Sequence, residues 1–270
     1  MIQNQSRVFL VRPRRFGKSL RVSTLETLFG RGLEDFQGLK IEKLRKEPKQ
    51  YKVVRLDFSV TCSSRFERFE LNFVLHLINS FSEYGFQCDS YLLPDLLERL
   101  SEWLEDQKPG SLVLLVDEYE APLTACLGDP KLFDLILKDL SKFFSVIGSH
   151  DSAFRFVFVT GIMNFKNTGM FSELKGLADI SLDPEYGSIV GFTTQELKDY
   201  FSGYIEEAAK QLGTKPEALL QRLVGYYDGY CFEKTGTVKV MNPWPIMSFL
   251  FIQKEVSEII GFKQAASHLS

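Results

Sequence analysis

Leu112-Val113-Leu114-Leu115-Val116 is an unbroken aliphatic run, and Asp117-Glu118 follows it at once. A strand with one face in water alternates apolar and polar residues. A run without alternation therefore belongs to a strand covered on both faces. It is far too short to span a bilayer. Val8-Phe9-Leu10-Val11 and Phe154-Arg155-Phe156-Val157-Phe158-Val159 are similarly apolar, and Val53-Val54-Arg55-Leu56-Asp57-Phe58 reads as a further strand. Helical periodicities fall between them, and this alternation predicts an α/β fold, a parallel sheet with helices on both faces.

Between the first two strands, Val22, Leu25 and Phe29 share a helical face that Gly30 and Gly32 end. Residues 33–52 are polar and rich in Lys, with Glu42 and Glu47 interspersed, which reads as a solvated helix and loop. Phe66, Phe69, Phe73, Leu77 and Phe81 recur at helical spacing, the pattern of a core-facing helix. A helix after Pro94 carries Leu97, Leu100 and Leu104 inward, and Pro109-Gly110 turns the chain. A helix over about 131–147 leads to the Phe154–Val159 strand. Residues 162–178 read as a long loop with a short helix, and a weaker strand is expected near Ile180–Leu182 or Ile189–Val190.

From Thr193 the alternation stops. Thr193 and Glu196 form a capping box that opens a helix to about Gln211. Pro216 opens another to about Tyr227, Cys231–Val240 reads as a short hairpin, and Pro243 or Pro245 opens a last helix through Phe251. The expected organisation is therefore a core over 1–192 and a small, mostly helical domain over 193–270.

The chain has 270 residues and a net charge of −3, so no global basic field advertises nucleic acid. Its 44% apolar and 25% charged content is ordinary for a soluble globular protein. No secretory signal pattern opens it. Cys62, Cys88, Cys126 and Cys231 are scattered, with no CxxC pair, which argues against zinc and for reduced thiols in a cytoplasmic protein. His76, His150 and His268 have no partner at ligand spacing.

Chemistry gathers at two places. Arg12-Pro13-Arg14-Arg15-Phe16-Gly17-Lys18-Ser19 follows the first strand and opens a helix, the layout of a phosphate-binding loop. Gly17 lets the backbone approach a phosphate, Lys18 reaches the β- and γ-phosphates, and the Ser19 hydroxyl joins a Mg²⁺ shell. Arg12 stands where the motif has its first glycine. The second place is Asp117-Glu118, at the carboxyl end of a strand. There Asp117 would orient the Mg²⁺ shell and Glu118 would polarise water for attack on the γ-phosphate. The alternative is a helix N-terminus decorated with acids. Thr160, at the end of its strand, would bond the attacking water or the γ-phosphate, or else satisfy loop backbone; Asn164 is a neighbouring candidate. Arg14 and Arg15 would add positive charge near the phosphates or fix the loop by an ion pair, with Asp228 a candidate partner for Arg14.

Phe9-Leu10-Val11-Arg12-Pro13-Arg14-Arg15-Phe16-Gly17-Lys18-Ser19-Leu20 resembles the opening motif of the bacterial and archaeal AAA-ATPase-like family, whose ATPase module often precedes a PD-(D/E)XK nuclease-like domain. Leu56-Asp57-Phe58-Ser59, Val116-Asp117-Glu118-Tyr119-Glu120-Ala121-Pro122-Leu123 and Val159-Thr160-Gly161 continue the resemblance. So do Met170-Phe171-Ser172-Glu173-Leu174, Gly191-Phe192-Thr193, Tyr227-Asp228-Gly229-Tyr230-Cys231-Phe232 and Asn242-Pro243. The blocks keep family order over about residues 8–250.

The resemblance implies a P-loop NTPase fold of the AAA+/STAND-like kind, with the Thr160 strand between the loop strand and the acid strand. It makes Arg12 the usual residue at its position, and it implies a nucleotide site over Arg12–Leu20 with ATP and Mg²⁺ as ligands. ATP hydrolysis is the leading expectation; a nucleotide-gated switch acting on a partner such as a nuclease or nucleic acid is the alternative. Homo-oligomers are compatible with either, and a membrane is not expected. The family's segment before the first strand, which can cover the adenine, has little room upstream of Val8, so a trimmed fragment is expected. No PD-(D/E)XK pattern is evident, and nuclease activity is not carried over.

Overall fold

The computed structural model describes residues 5–45, 47, 49–165 and 168–252. Strands β1 (Arg7–Val11), β2 (Lys52–Asp57), β3 (Leu112–Asp117), β4 (Phe154–Gly161) and β5 (Ala178–Asp179) form one parallel sheet in the order β2-β3-β4-β1-β5. Helices α1 (Lys18–Gly30), α2 (Lys40–Leu44), α3 (Phe66–Ser82), α4 (Leu93–Glu105), α5 (Ala121–Thr124) and α6 (Pro130–Ser149) occupy the crossovers between strands. The fold is α/β and P-loop NTPase-like, with β4 between the loop strand β1 and the acid strand β3.

Every residue of β3 is buried, as its unbroken aliphatic run requires. Leu112, Leu114 and Val116 join the large core built with α3, α4 and α6. The period of two turns Val113 and Leu115 to the opposite face. Across that sheet Phe29 of α1 stacks on Phe156 of β4 with centroids 5.4 Å apart. The aromatic stripe on α3 is core: Phe69, Phe73, Leu77 and Phe81 are wholly buried, and Phe73 meets Phe58 and Phe143 edge-on.

Register decides where chemistry can gather. Leu10 pairs with Thr160, Val11 with Gly161, Val116 with Val159 and Asp57 with Asp117. The carboxyl ends of β1, β4, β3 and β2 thus form one edge, the place where open parallel sheets hold ligands.

Residue contacts divide the chain into Met1–Pro13 with Lys18–Ile180, and Arg14–Gly17 with Ser181–Ser270. The tip of the loop after β1 therefore belongs to the second unit. That unit holds α7 (Thr194–Tyr200), α8 (Ser202–Gln211), α9 (Pro216–Tyr227), the hairpin β6 (Asp228–Cys231) and β7 (Lys239–Met241), and a last helix, α10, described over residues 243–252. Leu197, Ile205, Leu219, Leu223, Met241, Ile246 and Leu250 are its core. In the hairpin turn the Glu233 carboxylate accepts the Thr235 hydroxyl and the N–H groups of Thr235, Thr237 and Val238, donors that hold it down to about 2.

Three local expectations shift. The helix expected over 193–211 breaks at Phe201, whose φ of −119° is not helical and whose ring packs on Phe192 at 5.0 Å. The weak strand falls at Ala178–Asp179, where its backbone pairs with β1, ahead of the expected positions. The hairpin begins at Asp228 and leaves the Glu233 turn outside its strands. Among the described residues, no helix is long and apolar enough to cross a membrane.

The capping box at α7 is present in both directions: Glu196 N–H donates to Thr193 Oγ1 at 3.2 Å, and Thr193 N–H donates to Glu196 Oε2 at 2.8 Å. Thr193→Ala removes the acceptor of the Glu196 N–H while the Thr193 N–H keeps its bond to Glu196, and should cost about 1 kcal/mol, read as a lower urea midpoint at unchanged slope.

Candidate nucleotide site

The loop after β1 starts with Arg12, whose N–H donates to Gly161 O at 3.1 Å and so continues the β1–β4 ladder by one bond. Its side chain is only 1% exposed, and Nη1 donates to Val11 O at 2.8 Å. Burial pushes the guanidinium down to about 10 while Asp179 on β5 pulls the other way, so it remains a cation at neutral pH. The position that a phosphate loop ordinarily gives to glycine is thus filled by a buried charge beneath the loop.

Pro13, Arg14 and Arg15 are exposed. Arg15 has φ 68°, and its guanidinium lies over the Trp244 ring at 4.9 Å, a contact worth about 0.5–1 kcal/mol at such a surface. Phe16 is 1% exposed; its ring meets Tyr230 at 4.8 Å and Phe232 at 5.1 Å, both edge-on, beside Val190 and Val240. Gly17 has φ 88°, a conformation that side chains resist, and nothing lies within 4 Å of where a Cβ would be. The backbone there is open to a ligand. The side chain of Asp228 lies outside the described residues.

Lys18 opens α1 and is buried, its Nζ donating to Pro13 O at 3.1 Å. The ammonium is folded back onto the backbone of its own loop. Ser19 and Leu20 follow on the first turn of α1 and are exposed.

Asp117 ends β3, 1% exposed, and its Oδ1 accepts the Glu118 N–H at 3.0 Å. Glu118 has φ 48°. Arg15 and Glu118 are the two non-glycine residues with positive φ among those described. Such strain costs of order 1–3 kcal/mol each and tends to collect at functional sites. Both residues sit on the segments singled out for phosphate chemistry. Thr160 is fully buried and its hydroxyl donates to Leu10 O at 2.7 Å. Its proton is committed to tying β4 to β1 at the base of the loop. Asn164 donates to Asp179 at 3.2 Å, away from the acid strand.

Two neighbours escaped sequence inspection. The Tyr119 hydroxyl donates to Met163 O at 2.7 Å and accepts the Phe165 N–H at 2.8 Å; burial raises its pKa. Glu120 is 2% exposed, and its Oε1 accepts the Ile162 N–H at 2.8 Å. Burial, reinforced by Glu118, raises the Glu120 carboxyl, although the Ile162 N–H and Lys18 oppose the shift. Asp57, at the end of β2, binds Ser59 N and Oγ, and its own N–H donates to His76 Nε2 at 3.1 Å. His76 is thereby an ordinary backbone acceptor.

Parallel order, a Gly-Lys-Ser loop on β1 and an acidic pair one strand beyond its neighbour define the class: a P-loop NTPase-like protein. The family model described as "Predicted AAA-ATPase" matches residues 1–171, and the chain belongs to this AAA-ATPase-like family. A relative from Azotobacter chroococcum mcd 1, titled "Uncharacterized protein in vnfD 5'region", is 28% identical over 258 residues, covering 94% of this chain. The chain spans 47% of that relative's length, about half.

Proposed function

We propose that the chain is an ATP-binding module that hydrolyses ATP with Mg²⁺ and passes the state of its phosphate loop to its C-terminal unit. The observation that carries this is the alignment, on one sheet edge, of Gly17-Lys18-Ser19 after β1 and Asp117-Glu118 after β3. The open backbone at Gly17 and the acid and hydroxyl donors suit a phosphate and a hard cation. Ser19 and Asp117 would hold Mg²⁺, which when bound neutralises charge on the phosphate oxygens. Lys18 stabilises charge on the transferred phosphoryl group, and Glu118 takes the proton of the attacking water. Thr160 holds the loop base in register with β4, and Arg12 to Leu20 form the nucleotide cradle.

The division of the loop between units supports the coupling. Its ends, Pro13 and Lys18, group with the sheet, whereas Phe16 is buried among Val190, Tyr230, Phe232 and Val240. A phosphate that reshapes Arg14–Gly17 must disturb those aromatic contacts. The same observation favours a second reading, a nucleotide-gated switch with little turnover that acts on a partner such as a nuclease or nucleic acid. Phosphate release separates the two.

Thermal melting tests binding. ATP with Mg²⁺ at 100 times its Kd adds about 2.7 kcal/mol, which for a chain of this size raises Tm by roughly 5–10 °C. An unchanged Tm at millimolar ATP and Mg²⁺ contradicts binding at this loop, and a parallel series with GTP reports the base preference.

A further inference from the structure

Glu120 is the residue that precedes α5, three positions beyond Asp117, and its carboxyl packs on the chain at and just after the end of β4. Oε1 accepts the Ile162 N–H at 2.8 Å. Oε2 is buried with no hydrogen-bond partner among the described residues. It lies over the α-carbon of Gly161, so close that a Cβ built there would stand 1.8 Å from it. Gly161 has ordinary backbone dihedrals, so its lack of a side chain serves this approach and not a turn. Gly161 O in turn accepts the Arg12 N–H at 3.1 Å, the first bond of the phosphate loop. A contiguous path therefore runs from the acid segment through Glu120, Gly161 and Arg12 to the loop.

We propose that Glu120 is a positioning residue for ATP hydrolysis: its carboxyl locks the end of β4 against the acid segment and so fixes Glu118 relative to the phosphate loop. This rests on the hydrolase reading above. The position needs an acceptor for Ile162 N–H and a flat, compact group over Gly161. An amide supplies both; a methyl group supplies neither. A buried oxygen left without a donor would be poor design for packing alone, since a charge there is unsolvated and an apolar side chain would fill the space at less cost. Reaction rates, by contrast, respond steeply to small errors in placement, with a shift near 1 Å able to cost about 100-fold.

The test measures kcat and KM for ATP, together with melting curves, for wild type, Glu120→Ala, Glu120→Gln, Gly161→Ala and the Glu120→Ala/Gly161→Ala pair, with Lys18→Ala as the blank. Glu120→Ala should lower kcat by about 10- to 100-fold with KM changed less than about threefold, the signature of lost positioning in the transition state. Glu120→Gln should recover most of that rate. Gly161→Ala displaces the carboxyl and should lose rate by itself, and the double variant should lose less than the product of the single losses. Wild-type kcat in Glu120→Ala overturns the proposal. So does a Glu120→Gln variant as slow as Glu120→Ala, which would make the carboxyl itself the reacting base. If Glu120→Ala does not fold, the Glu120→Gln and Gly161→Ala rates decide: a fast amide with a slow Gly161→Ala supports positioning, and any other pairing overturns it. A wild type without Lys18-dependent turnover instead overturns the hydrolase reading, and this proposal with it.

Discussion

With Glu118 as the proposed base, Glu118→Gln should lower kcat for ATP hydrolysis by about 10²–10⁴-fold, the usual contribution of a positioned general base. The amide keeps the size and planarity of the carboxylate and removes its ability to take a proton from water. In the proposed site the loop would carry ATP binding, so affinity in this variant should stay within about threefold of wild type, the pattern of an interaction made only in the transition state. Fold effects are small: Glu118 is half-buried, and the turn that gives it φ 48° is held by its own N–H to Asp117 and by its carbonyl, which accepts the Ala121 N–H at 2.9 Å. Those bonds use backbone and survive the substitution. Quench-flow phosphate release with a parallel binding titration measures both quantities. A variant that turns over like wild type removes Glu118 from the base role.

Lys18→Ala acts earlier. A hydrogen bond from a cation to a charged partner is worth about 1.5–3 kcal/mol, so the loss in ATP affinity should be about 10- to 100-fold. Any remaining turnover should fall further, because in the proposed mechanism the ammonium would also meet charge that develops on the transferred phosphoryl group. The folded chain should tolerate the change. Lys18 sits at the first position of α1, where alanine is a good helix former, and its Nζ bond to Pro13 O stays within the same loop. Equal melting temperatures without nucleotide, and a ligand-dependent rise confined to wild type, would separate binding from stability.

Much of this fold is legible in one dimension because its strands are buried on both faces. Leu112–Val116 and Phe154–Val159 advertise a covered parallel sheet, and the phenylalanines of α3 advertise the face that covers it. The loop and the acid pair are equally local, each a short string after an apolar run. What the sequence hides is set by tertiary neighbours. Arg12 is one of three arginines in a polar-looking loop, yet its side chain is buried against Asp179's field. Phe16 has no periodic partners; the residues that bury it come from positions 190, 230, 232 and 240. Nothing near Glu120 in the chain announces its partners, because Gly161 and Ile162 reach it only across the sheet edge. The break at Phe201 is hard to read from sequence because it is set by the packing of its ring on Phe192 within the folded unit.

The segment pairs also explain why family resemblance and physical chemistry point the same way. A buried arginine in the glycine position costs desolvation, and it is tolerated here because Asp179 faces it and the first loop bond passes through its backbone to Gly161. Glu118, with its positive φ, follows β3 at the carboxyl edge of the sheet.

The most direct test is calorimetric titration of the chain with ATP and Mg²⁺, with Lys18→Ala titrated alongside. Saturable one-site binding to wild type, weakened at least about tenfold in the variant, is the predicted result. Identical isotherms for the two proteins, or no heat of binding to either, would contradict the assignment of this loop as a nucleotide site.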